Sequence, residues 1–196
     1  VENIDQVIKL IEDRNKNAEL LKDLAAIEGR TIVFTQRRAS ADIVRDFLIN
    51  NGVKAVSLHG HHMQEEREEA MRAFKKREAR VLVATGVAAR GLDIAGITHV
   101  VQYDMARDID EYTHKIGRTG RAGKKGIATT YFHFKSTGGH LAGRLERYLR
   151  DARKAVPSWL ESFVRRNRGY SRRDRDRRRD RDRDERRHDR DRRRRR

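Results

Sequence analysis

Five short apolar runs constrain the fold of this chain more than any other feature. They are TIVF at 31–34, AVSL at 55–58, VLVA at 81–84, HVVQY at 99–103 and ATTYF at 128–132. Rich in β-branched and aromatic residues, they read as buried strands. Segments with helical spacing lie between them. Ala41, Val44, Phe47 and Leu48 form one stripe, Ala70, Met71 and Phe74 a second, and Leu141, Leu145, Tyr148 and Leu149 a third. Alternating strands and helices predict an α/β fold, a mainly parallel sheet with helices on both faces. In such sheets ligands gather at the C-terminal ends of the strands, which directs attention to the residues after Phe34, Leu58 and Ala84. The start of the chain is ambiguous. Ile4, Val7, Ile8 and Ile11 have helical spacing, but their β-branching favours a strand, and the two readings are evenly matched.

The charge separates two regions. The net charge is +17, and residues 165–196 hold 19 Arg against 7 Asp and 1 Glu. Tyr170 is the one aromatic of that segment, too little apolar surface to offset chain entropy, so a disordered Arg/Asp-rich tail is expected there. Residues 1–164 form the expected folding domain, large enough for a core. The chain has no Cys, which removes disulfides and thiolate metal sites and points to an intracellular protein. No apolar run approaches the roughly 20 residues of a membrane span. The chain begins at Val1 without a start Met, which suggests a fragment of something longer.

Three segments carry chemistry. HKIGRTGRAG, 114–123, sets Arg118 and Arg121 three apart on a glycine-rich turn. Two guanidinium groups so placed suit the oxygens of a transferring phosphate; a basic surface turn is the plainer reading. VLVATGVAARGLDI, 81–94, runs a strand into Thr85-Gly86, where a short helix start would offer free N–H groups and the Thr85 hydroxyl to a phosphate. Asp93 could accept a bond from a ribose hydroxyl, or pair with Arg90. LHGHHMQEER, 58–67, holds His59, His61 and His62. With no Cys and no suitably spaced acid beside them, no metal site is expected; loop histidines and Arg67 near a nucleic-acid backbone fit better. The helix expected near Gln64–Lys76 crowds acids at its start and bases at its end, which complements its dipole.

In this order and spacing the segments resemble the C-terminal RecA-like domain of a DEAD-box RNA helicase. TIVFTQRR, 31–38, is similar to motif IV, Gln64-x-x-Arg67 to the QxxR element, ATGVAARGLDI, 84–94, to motif V and HKIGRTGR, 114–121, to motif VI. VPSWL, 156–160, resembles the end of this domain in the Vasa-like branch. The likeness covers about residues 1–163. It implies a RecA-like three-layer sandwich. It also implies that Arg121 is an arginine finger on the γ-phosphate of ATP with Arg118 as its companion, and that Asp93 contacts the ribose. Thr85, Gly86, Arg67, Gln64, His59 and Gly60 would then face the RNA backbone, and His114 would order an interdomain site. The family binds RNA through phosphates and 2′-hydroxyls, without reading sequence.

The sequence departs from the family at several points. Lys115 stands where motif VI usually has Arg, which keeps the charge and loses the planar fork. His61 and His62 replace Asp-Arg after the HG pair, and Met63 replaces a Ser that would cap the next helix. Ala106 stands where a Pro is common.

The chain has no GxxxxGK[ST] loop, no DEAD acid pair and no SAT. It supplies cationic fingers but neither the phosphate cradle nor the Mg²⁺ site of a phosphoryl-transfer enzyme. The expected function is therefore the C-terminal half of an ATP-dependent RNA helicase, inactive alone. The expected partners are RNA and an N-terminal RecA-like domain of the same parent, which would hold ATP and Mg²⁺; no membrane partner is expected. A stand-alone RNA-binding or partner-binding module that lost the motor is the alternative. A monomer is expected, in nucleus or cytoplasm, with the Arg-rich tail tilting the expectation toward the nucleus.

Overall fold

The computed structural model describes residues 3–89, 94–134 and 139–167. From residue 168 on the expected disordered tail lies outside the described residues, as does Asp93; residues 165–167, expected to begin that tail, instead end a helix. The chain divides into a compact unit, Val1–Ala155, and a second unit beginning at Val156, whose described part is a helix over 158–167.

The first unit is a six-stranded sheet. Its strands are β1 (Ile4–Leu10), β2 (Arg30–Thr35), β3 (Ala55–Leu58), β4 (Val81–Thr85), β5 (Ile97–Gln102) and β6 (Gly126–Phe132). The helices are α1 (Lys16–Ala26), α2 (Arg38–Asn50), α3 (Gln64–Lys75), α4 (Ile109–Ile116) and α5 (Gly139–Asp151). The strand order is β1-β6-β5-β2-β4-β3, and all five pairings are parallel. All five apolar runs are strands. The ambiguous first segment is also a strand, because it pairs with β6 over its whole length, Ile4 with Gly126 through Leu10 with Phe132.

The sheet's period of two divides the core. Val33, Val81 and Val83 face Leu20, Leu24, Val44 and Leu48 of α1 and α2. Their neighbours Ile32, Phe34, Leu82 and Ala84 face the other way, toward Phe74 of α3. Two apolar clusters on opposite faces of one sheet make the expected three-layer α/β sandwich.

The topology places the site. From β2 the chain moves to one side for β3 and β4, then crosses back for β5 and β6. The strand order thus reverses beside β2. A crevice opens at the carboxyl ends of parallel strands where the order reverses.

Candidate nucleotide and nucleic-acid interface

A cavity of about 310 Å³ opens at this reversal point. Thr85 and Gly86 line it from the end of β4, Phe34 and Gln36 from the end of β2, and His114, Lys115 and Arg118 from α4 and the turn beyond. The structure so unites four residues singled out in two distant segments, Thr85, Gly86, His114 and Arg118. The expected helix start after Thr85 is, among the described residues, a single turn over 86–89 closed by the Ala89 N–H on the Thr85 carbonyl at 3.1 Å.

The floor of the cavity is an ion pair. Lys115 is 3 % exposed at its side chain, and its Nζ lies 3.0 Å from Glu111 Oε1 and 5.5 Å from the centre of the Phe34 ring. Burial lowers the lysine's pKa, partly countered by Glu111. Burial alone would raise the Glu111 carboxyl, but the Arg107 N–H and the Lys115 ammonium outweigh it and hold it below its ordinary value. Both partners lie on α4, and the lysine reaches the Phe34 ring at the end of β2 and the backbone of Gly86 just past β4. Gly86 permits the approach, since a Cβ there would sit 3.0 Å from Glu111 Oε1 and 3.2 Å from Lys115 Cε. The sequence showed Lys115 only as a Lys in place of the usual Arg, and not that it pairs with Glu111. The signal was the four-residue spacing from Glu111.

The Gly/Arg turn is anchored from beneath. Thr119 is buried and donates to the Ile97 carbonyl at 2.7 Å. Gly120 has φ +67°, and a Cβ on it would strike Ile4 Cγ1 at 2.6 Å, so only glycine passes this close to β1. Arg121 emerges exposed beyond it, with Nε donating to the Gly117 carbonyl at 2.9 Å.

A second corner forms where β3 meets α3. Leu58 pairs with Ala84, so His59 and Thr85 leave adjacent strands at one level. Gly60 and Gln64 are exposed and Arg67 is half-buried. Gln64 donates to Glu68 at 2.7 Å. The His59 ring is buried, with Nε2 2.8 Å from Asp42 Oδ2. Sequence reading found no acid beside the histidines; α2 supplies it across 17 positions. Ser57 and His59, two apart and so on one side of the exiting strand, were the available signal. Met63 provides no cap oxygen, as expected, but Glu66 accepts the Met63 N–H at 2.7 Å.

An all-parallel sheet carries a crevice at its reversal point and a glycine-arginine turn beside it, the arrangement of a nucleotide-handling α/β domain. The chain belongs to the family described as helicase conserved C-terminal domain, matched over residues 14–123, and is a RecA-like domain of the DEAD-box type. It is similar to the E. coli DEAD-box protein SrmB, solved bound to regulator of ribonuclease activity A, at 36% identity and TM-score 0.67, over 74% of this chain and 84% of that one. The yeast DEAD-box splicing factor Prp28 matches at 28% identity and TM-score 0.77, over 83% of this chain and 37% of that one. S. cerevisiae Dbp5, solved bound to RNA and ADP BeF3, matches at 30% identity and TM-score 0.69, over 84% of this chain and 44% of that one.

Proposed function

We propose that this chain is the C-terminal half of an ATP-dependent RNA helicase of the Vasa-like branch. In this reading Arg121 and Arg118 neutralise charge developing on the γ-phosphate, and Asp93 holds the ribose. Thr85, Gly86, Gln64, Arg67, His59 and Gly60 face the RNA backbone, and His114 orders the junction with an N-terminal RecA-like domain. ATP is the substrate, presented by that second domain. Closure of the two domains on ATP and RNA would complete the site, and hydrolysis would reopen it.

The observation that carries the reading is the cavity at the reversal point, where Arg118 and His114 join Thr85 and Gly86. The RNA-bound and ADP BeF3-bound relative supports the choice of ligands. Mg²⁺ fits poorly on this half. Three carboxylates line the cavity, and two are engaged: Asp108 accepts the Glu111 N–H at 2.7 Å, and Glu111 accepts the Arg107 N–H at 2.8 Å, which leaves Asp110 as a single acid where a Mg²⁺ site needs several ligands. The other domain would therefore hold the metal. The Arg-rich tail adds a phosphate-attracting segment and favours a nuclear site of action.

Arginine fingers contribute about 10³–10⁵ in rate in related phosphoryl-transfer enzymes. In the two-domain parent, Arg121→Ala is expected to lower RNA-stimulated ATP hydrolysis by at least about 10². An unchanged rate would remove the assignment. The isolated chain should show no turnover above blank.

A further inference from the structure

The β3–α3 corner holds a donor set of which the RNA reading uses His59 alone and leaves Asp42 and His62 unexplained. Asp42 of α2 faces two imidazoles. His59 Nε2 lies 2.8 Å from its Oδ2, and His62 Nε2 lies 4.0 Å from its Oδ1. The rings stack with centroids 3.8 Å apart, tilted by 26°. The side chains of His59 and His62 are 6 % and 16 % exposed, and His62 Nδ1 is buried without a hydrogen-bond partner. One ligand atom from each of the three residues falls within 4.8 Å of the others.

We propose that Asp42, His59 and His62 bind one divalent transition-metal ion of the zinc class, with solvent completing the coordination shell. Two imidazole nitrogens and one carboxylate oxygen are a donor set that zinc accepts, leaving a fourth position for water. Bonds of about 2.0 Å in a tetrahedron put ligand atoms about 3.3 Å apart, so atoms that lie within 4.8 Å of one another must draw together on capture. His59 and His62 approach different Asp42 oxygens, at 2.8 and 4.0 Å, and their rings are stacked, so ring rotation accompanies that closure.

The local charges permit it. Asp42 places one negative charge within reach of both rings. Glu66 adds a second negative charge facing His62. Arg45 opposes a cation, but it lies 2.8 Å from Asp46 and 3.1 Å from Asp42, so its charge is shared. With the His61 N–H donated to His59 Nδ1 at 3.3 Å, the His59 proton resides on Nε2 and bridges to Asp42. Metal capture at Nε2 shifts that proton to Nδ1 by exchange with solvent. It gives up both the His59–Asp42 bond and the His61 contact, since Nδ1–H and the His61 N–H are then both donors, and the metal bonds must offset the two losses. The ion then replaces the proton as the bridge. It would tie α2 to the loop that leads into α3, independently of any role in ATP hydrolysis.

The test uses the full untagged chain, stripped with a chelator and titrated with Zn²⁺ alone by calorimetry and with Co²⁺ by visible absorption. The expected result is saturable binding of one Zn²⁺ per chain and a four-coordinate cobalt spectrum. His62→Ala and Asp42→Asn should each weaken Zn²⁺ by at least about tenfold and abolish the cobalt band. His61→Ala, which leaves the three ligands in place, should retain both. Circular dichroism without metal verifies that each variant is folded. Absence of saturable binding in the wild-type chain overturns the proposal. So does undiminished binding in folded His62→Ala and Asp42→Asn, or loss of binding in folded His61→Ala.

Discussion

The two corners of the strand edge meet the same problem by different means. At the β4–α4 corner, a charged pair is buried: Lys115 under Phe34, against Glu111, with Gly86 pressed close above. At the β3–α3 corner, buried Ser57 and His59 bond to the half-exposed Asp42 of α2, and the loop above them is open to solvent. In the first, the groups that hold the corner also line the cavity. In the second, Gly60 and Gln64 stand clear of the groups that anchor them. The first corner should therefore respond to substitution by losing stability and shape together. The second should tolerate changes at its surface.

The sharpest test of that difference is Glu111→Ala. It leaves the Lys115 ammonium buried without its carboxylate, and orphaned buried charges cost about 3–5 kcal/mol. Glu111 keeps 21 % side-chain exposure, so the lower end applies, about 3 kcal/mol, or roughly 6–12 °C in Tm for a domain of this size. The double variant Glu111→Leu with Lys115→Met should recover most of the loss, because apolar replacements of both partners spare the desolvation. The pH dependence has a definite sign. The folded carboxyl titrates below its ordinary 4.5, so its contribution is complete above that value and is lost as pH falls through the folded one. The stability gap between wild type and Glu111→Ala should narrow below about pH 4.5. A gap that stays constant into acid would mean that the pair is not what holds the corner.

Two glycines sharpen the contrast. Gly86→Ala puts a methyl 3.0 Å from Glu111 Oε1 and 3.2 Å from Lys115 Cε, and both atoms belong to the buried pair. The expected cost is about 1–3 kcal/mol by chemical denaturation. At Gly60 the nearest atom to such a methyl is Arg38 Nε, 3.9 Å away. Gly60→Ala should therefore change stability by less than about 0.5 kcal/mol. Equal losses at the two positions would break the comparison.

Much of this architecture was legible because it is written in local pattern. The strands announced themselves through β-branched runs, and α2, α3 and α5 through apolar stripes. α1 did not, since Lys, Asn, Glu and Asp dilute its Leu20–Leu24 face. α4 was hidden because His114–Ile116, its last turn, reads as the start of the Gly/Arg motif. The segment at Ile4–Leu10 was undecidable alone, because pairing with β6, more than a hundred residues away, settles it. The same reason hid Asp42. Its partners lie at Ser57, His59 and His62, and only packing of α2 against the exit of β3 brings them together. Periodicity reports which face a residue takes, not which distant residue meets it.

The smallest expected effect concerns the two helix starts. Asp108 caps α4 through its side chain, and Asp108→Ala should cost about 1 kcal/mol. Met63 holds the corresponding place on α3 with no cap oxygen, although its backbone, at φ −61° and ψ 159°, already has N-cap geometry. The residue is 69 % exposed, so replacing it removes little packing. Met63→Ser should then stabilise the domain by about 0.5–1 kcal/mol, read as a higher denaturation midpoint with an unchanged slope. The gain depends on Glu66, which completes the reciprocal arrangement by accepting the Met63 N–H. In a Glu66→Ala background the same substitution should yield about half as much. If Met63→Ser gave nothing in either background, the open corner would owe its character to the loop before α3 rather than to its missing cap.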